Sequence, residues 1–189
     1  MEKQKELILT DERAFYLLKH FEEIDNTGLL HFQNLGFSVE DINQAIHTIG
    51  SKFYVNFCNN PFDLMQKITH YIPFDLINQT NGNNAFIYKI PFTGGIGTNT
   101  IIPLKDIQQS DKSKIKKVIR NGFHVNVLEQ NFFDFTNQLV VICNPLHEVI
   151  TAFPGIYAPP YPTQLLDEDE RKASVLFWEN HTFISNSIL

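Results

Sequence analysis

Apolar side chains return at helical spacing three times in the first seventy positions. Ala14, Leu17, Leu18, Phe21 and Ile24 form one stripe behind Thr10 and Asp11, either of which can cap a helix. Asn26-Thr27-Gly28 reads as its end, with Gly28 suited to a left-handed cap. After a connector from Phe32 to Phe37, a second helix opens at Ser38. Ser38 and Asp41 stand three apart, a relative of the capping box, and Phe37 can staple onto Ile42. Val39, Ile42, Ala45, Ile46 and Ile49 make its buried face, and Gly50 is its stop. Residues 52–58 fit either a short strand or a helical continuation. Asn60-Pro61 is a cap followed by proline at the first helical position, and Phe62, Met65, Ile68, Thr69 and Ile72 give the third stripe, ended or kinked by Pro73. The polar run from Asn78 to Asn84 contains the turn signal Asn81-Gly82 and reads as a linker. It separates a helical region, 1–79, from a second domain, 80–189.

The period changes beyond it. Ala85 to Ile90 reads as a strand, followed by a Gly-rich turn, Thr93 to Asn99, and a short strand, Thr100 to Pro103. Lys105 to Arg120 carries a sparse apolar face (Ile107, Ile115, Val118, Ile119) and is expected as a surface helix. Asn121-Gly122 is a turn. Phe123, Val125 and Val127 alternate with His124 and Asn126, which is strand periodicity. Leu139 to Ile142 is a continuous apolar run suited to a central strand, and Glu148 to Phe153 is expected to pair back beside it. Short connections predict an antiparallel meander of these last three strands. Tyr157 to Pro162 is polyproline-like, Asp167 to Trp178 is a last helix, and 181–189 is left unassigned. The expected fold class is α+β: N-terminal helices, then a small antiparallel sheet with a basic helix and a C-terminal helix.

A chain of 189 residues with 43% hydrophobic side chains holds one or two packed domains, and its 17 phenylalanines belong mostly to cores. The net charge of -6 speaks against an ordinary nucleic-acid binder. One segment departs from it: Lys105, Lys112, Lys114, Lys116, Lys117 and Arg120 face only Asp106 and Asp111. This is either a solvated, salt-bridged face or a local phosphate-binding patch. Cys58 and Cys143 sit in apolar surroundings, and neither they nor the histidines (20, 31, 47, 70, 147, 181) have metal-ligand spacing. No metal and no cofactor are expected. The charged start lacks the apolar core of a signal peptide, and no run approaches the ~18 apolar residues of a membrane span. A cytoplasmic location, or delivery into a target-cell cytoplasm, is expected.

The candidate chemistry gathers in 92–154. Arg120 can neutralise a phosphodiester bidentately, and His124 can move protons at neutral pH. Thr151 can donate a hydroxyl to developing charge. In the expected meander the His124 and Thr151 strands flank Leu139 to Ile142 and share a face. The alternatives are a satisfied sheet histidine and a threonine chosen for strand propensity. The turn Thr93 to Asn99 can offer N–H groups to phosphate but lacks the P-loop ending, so a plain tight connection is the other reading. Asn99 and Thr100 would point into the same cleft, Lys116 and Lys117 would contact phosphates, and Tyr157 and Tyr161 either stack on a base or pack the tail.

Gly94-Gly95-Ile96-Gly97-Thr98-Asn99, the strand Phe123-His124-Val125-Asn126-Val127 and the closing Glu148-Val149-Ile150-Thr151-Ala152-Phe153-Pro154-Gly155 resemble the superfamily that unites barnase, EndoU, the tRNase colicins and RelE. The similarity covers roughly 85–157. It implies a metal-independent endoribonuclease, a toxin domain of bacterial competition. His124 would be general acid or base, Arg120 the phosphate clamp and Thr151 the transition-state donor. It also implies RNA, tRNA included, as substrate, and an immunity or antitoxin protein as partner. The alternative is a non-catalytic protein-binding module, either an immunity-type partner or an inactive relative.

Overall fold

The computed structural model describes residues 7–69, 76–78, 85–130 and 134–185. In chain order the elements are α1 (Asp11–Leu17), α2 (Asn26–Asn34), α3 (Val39–Ile46), α4 (Pro61–Thr69), β1 (Leu76–Asn78), β2 (Phe86–Pro91), β3 (Gly97–Asn99), β4 (Ile101–Pro103), α5 (Gln109–Lys112), β5 (Ile115–Arg120), β6 (Phe123–Glu129), β7 (Asp134–Thr136), β8 (Gln138–Cys143), β9 (Val149–Pro154), α6 (Glu168–Glu179) and β10 (His181–Ser185). The fold is α+β, as its alternating periods require. It divides into two compact units: Met1–Thr98 with Phe135–Gly155, and Asn99–Asp134 with Ile156–Leu189. The expected linker and the 79/80 boundary lie outside the described residues.

In the first unit the helix starts are where the caps put them. Thr10 Oγ1 accepts from the Arg13 amide at 3.3 Å. Ser38 and Asp41 close a full capping box. Asn60 Oδ1 accepts from the Asp63 amide at 2.8 Å. One expected stop is a start instead. α1 ends at Leu17 in a 3-10 turn, Leu18–His20. Asn26-Thr27-Gly28 then opens α2, because the Asp25 carboxylate accepts from the Gly28 amide at 2.8 Å. Gly36, at φ 96°, takes the left-handed position that ends α2.

The helices do not form a domain of their own. Leu17, Phe21, Phe53, Leu64 and Ile68 share one buried cluster with Tyr88, Ile90, Leu139, Val141 and Ala152 of the sheet. That sheet has the order β1-β2-β8-β9 and is antiparallel throughout. Its central strand is the apolar run expected from sequence, with Leu139, Val140 and Val141 fully buried. One of its neighbours is β9, as expected. The other is β2 and not the histidine strand, so the meander is replaced by a sheet that recruits β2 from before the Gly-rich turn. β3 and β7 pair as a two-stranded ribbon.

The second unit holds a mixed sheet of order β4-β10-β6-β5, with β10 parallel to β6 and antiparallel to β4. Helix α6, capped by Asp167 and acidic in its first turn, forms where expected. Its Trp178 joins Ile101, Val125 and Val127 in a buried cluster with Phe123, Tyr161, Phe177 and Phe183 packed against it. The helix expected over 105–120 is absent. A 3-10 turn (Leu104–Asp106) and the single-turn α5 occupy its first part, and β5 its second. Two causes act together. Ile115, Val118 and Ile119 are β-branched, and Asn121 (φ 47°) with Gly122 (φ 75°) makes a two-residue turn of the kind that joins twisted antiparallel strands. The residues left open at the C-terminus form β10 up to Ser185.

Candidate functional site

The β5–β6 hairpin carries most of the residues singled out above, and its register decides what they can do. Lys116 pairs with Val127, Lys117 with Asn126, Val118 with Val125, Ile119 with His124 and Arg120 with Phe123. Side chains of paired residues lie on one face of a sheet. Arg120, Val118 and Lys116 therefore share the face of Phe123, Val125 and Val127, which α6 covers. Lys117 and Ile119 share the opposite face with His124.

Arg120 and His124 are thus not convergent. The Arg120 guanidinium lies 4.3 Å from the centroid of the Phe183 ring, a cation–π contact on the α6 face. His124 is exposed, with no hydrogen-bond partner among the described residues. Thr151 is further removed from the expected constellation. It lies on β9, paired with Ile142, in the sheet of the first unit. The shared face that was to join His124 and Thr151 does not exist, because their strands belong to separate sheets.

The expected substrate contacts have structural roles. Asn99 Oδ1 accepts from the Ile101 amide at 3.1 Å. The Thr100 carbonyl accepts from the Ile184 amide at 2.9 Å, tying the chain to β10. Burial, with Glu170 nearby, pushes the Tyr157 hydroxyl up to about 12, and Tyr161 stacks on Trp178 at 4.9 Å. Lys116 reaches Glu129 at 3.3 Å, an exposed pair of small worth. Lys117 has no carboxylate within 4 Å among the described residues. Two amides of the Gly-rich turn are taken up by backbone carbonyls. The Ile96 amide donates to Thr136 O and the Thr98 amide to Lys52 O, each at 2.8 Å. Cys58 and Cys143 are buried thiols, that of Cys143 pushed up to about 12 by burial. No group of three or more His, Cys, Asp or Glu able to hold a metal occurs among the described residues, and no helix among them is long and apolar enough to cross a membrane.

What the hairpin does offer is an edge. β5 ends its sheet, with β6 as its one strand neighbour among the described residues. Residues 116–120 are all exposed, with Val118 at 42% and Ile119 at 66%. The two-residue turn sets the hydrogen-bond phase. The pair flanking such a turn exchanges both main-chain bonds, and the pattern alternates along the ladder. Arg120, Val118 and Lys116 therefore bond inward to β6, while the N–H and C=O groups of Lys117 and Ile119 point outward.

Sequence reading missed a second perturbed cluster, in the first unit. Lys52 Nζ donates to Lys19 O at 2.6 Å and to Ile46 O. Burial, opposed by Glu22, lowers its amine to about 8. His20 Nδ1 lies 3.1 Å from Ser51 O. Burial lowers that ring to about 4 against the opposing pull of this contact. No local motif announces either residue, since the Lys19 and Ser51 carbonyls that they meet lie more than thirty residues away in sequence.

No family model matches the chain, and no curated protein does. Among solved structures, a conserved hypothetical protein from Toxoplasma gondii ME49 is similar over 67% of this chain and 86% of its own, at 12% identity and a TM-score of 0.49.

Proposed function

We propose that this chain is a non-catalytic binding module whose β5 edge takes up an extended segment bearing acidic side chains. The observation that carries this reading is the exposed edge itself: two apolar side chains and three cations on five consecutive residues, with the outward main-chain groups of Lys117 and Ile119 free of β6. Adding a strand to such an edge satisfies those groups, and the side chains then select the partner. Lys116 and Arg120 on one face and Lys117 on the other repel a second copy of β5 and attract carboxylates. The complement in antiparallel register, read from the position opposite Arg120, is Glu-Val-Val-Glu-Glu-Ile. A fluorescent peptide with this core is expected to bind saturably. Ile119→Pro, which keeps every charge but removes one outward N–H, is expected to weaken it about tenfold. A peptide with Lys in place of Glu is expected not to bind. Absence of binding by the acidic peptide, or binding that ignores both changes, sinks the proposal.

A second reading, metal-independent RNA cleavage, has one observation in its favour: His124 and Lys117, both exposed, share one face of the hairpin. Lys117 would then stand in for Arg120 as phosphate partner. Fragments ending in 2′,3′-cyclic phosphate, formed in EDTA and lost in His124→Ala, would favour it over the binding module.

A further inference from the structure

We infer that the groove between α1 and α3 is a binding site for a small amphiphilic anion, one aromatic or aliphatic body carrying a single negative group. The groove has a volume of about 340 Å³, at the lower end of the range that holds drug-sized ligands. Phe15, Tyr16 and Ala45 give it an apolar lining, and Glu12, Arg13 and Lys19 give it charge.

Two features make it a formed site and not a chance furrow. The first is that its walls are fixed. Phe15 is backed by Phe37, stacked at 3.9 Å, and by the buried Phe32, edge-on at 5.7 Å. Ala14 and Leu18 pack with Ile42 and Ile46 beneath, joining α1 to α3. The ammonium of Lys52 then bonds the carbonyls of both Lys19 and Ile46, the last turn of one wall and the end of the other. One half-buried charge thus ties the two helix ends together.

The second feature is the charge left over. Among the described residues, neither Arg13 nor Lys19 has a carboxylate within 4 Å. Lys19 Nζ lies 3.7 Å above the Tyr16 ring, which is itself 48% exposed. With Glu12 counted, the groove carries one net positive charge beside an aromatic surface. A monoanion with an apolar body complements both. A dianion would meet Glu12, and an uncharged body would leave the cations unanswered.

The test uses the full chain and two probes of the same shape. 1-Anilinonaphthalene-8-sulfonate is an aromatic monoanion, and N-phenyl-1-naphthylamine is its uncharged counterpart. The site predicts saturable, one-to-one sulfonate binding to the folded protein. Arg13→Gln with Lys19→Gln is expected to weaken it about fivefold to tenfold while binding of the neutral probe changes little. Ala45→Trp, which fills the groove, is expected to abolish both. Far-ultraviolet circular dichroism and the thermal transition establish that each variant is folded. Sulfonate binding that is absent from the wild type, or unchanged in both folded variants, overturns the assignment. Equal losses of both probes in the glutamine variant overturn its charge component.

Discussion

Arg120 and His124 stand four residues apart across one tight turn and face opposite sides of the same hairpin. Arg120 pairs with Phe123 and lies against Phe183, whereas His124 pairs with Ile119 on the opposite face. Their separation follows from strand geometry, in which neighbouring positions alternate and a two-residue turn fixes which positions oppose. No side-chain rotation brings the two head groups onto one phosphate without passing around the strand edge.

The binding reading therefore expects no ribonuclease activity. Purified protein incubated with total RNA and with tRNA in EDTA should give no more fragments than His124→Ala. Cleavage by the wild type, lost on mutation, would restore the enzyme reading with Lys117 and His124 as its core.

Gly97 is required by its neighbours. A Cβ there would lie 2.2 Å from Lys52 O and 2.9 Å from both Cβ and Cγ of Pro154. The obstacle is backbone and a proline ring, neither of which can swing aside. Gly97→Ala is expected to cost roughly 2–4 kcal/mol in urea unfolding, while Gly94→Ala, where nothing lies within 4 Å, should be nearly silent. Equal effects of the two substitutions would contradict this account of the turn.

The His20 and Lys52 contributions to stability should each climb with pH, in two separate steps. The folded His20 ring titrates at about 4 against 6.5 for the ordinary group. Between these values the unfolded chain holds the extra proton, so stability is full above pH 6.5 and is lost as pH falls toward 4. The effect is on the order of 3 kcal/mol. Lys52 titrates at about 8 against 10.5. The unfolded chain again holds more protons between these values, so the Lys52 contribution rises from pH 8 to 10.5. The buried Cys143 and Tyr157, whose folded values are raised, act in the opposite direction above pH 9, and the Lys52 part is read as the difference from Lys52→Met. Denaturant titrations at several pH values check both steps. His20→Gln should remove the lower step and Lys52→Met the upper one. A curve that keeps both steps in these variants would assign them to other groups.

The pattern of legibility has physical causes. Ser38 with Asp41, Asn60 with Pro61, and Asp167 ahead of its acidic turn are local devices, and each began a helix where the sequence put it. The run Leu139 to Ile142 read as a central strand because it is apolar on both faces. The segment 105–120 misled because Ile115, Val118 and Ile119 are spaced i, i+3, i+4, a helical stripe, on a lysine-rich background of good helix formers. The decisive signal was Asn121-Gly122, which favours a hairpin and so a strand on each side. The partners of β6 and β8 could not be read locally. β10 joins β6 across more than fifty residues, and β2 joins β8 across a similar span. The candidate site depended on those partnerships, which is why residues reactive in type, Arg120, His124 and Thr151, fell on opposite faces of a hairpin and in separate sheets.

The central claim, that the outer edge of β5 is a strand-binding surface, is tested most directly by amide hydrogen exchange read residue by residue. In the free protein the amides of Lys117 and Ile119 should exchange fast, while those of Lys116, Val118 and Arg120 are slowed by β6. Saturating Glu-Val-Val-Glu-Glu-Ile peptide should slow Lys117 and Ile119 and leave the other three as they were. Unchanged exchange at Lys117 and Ile119, or protection confined to another element, would contradict the account.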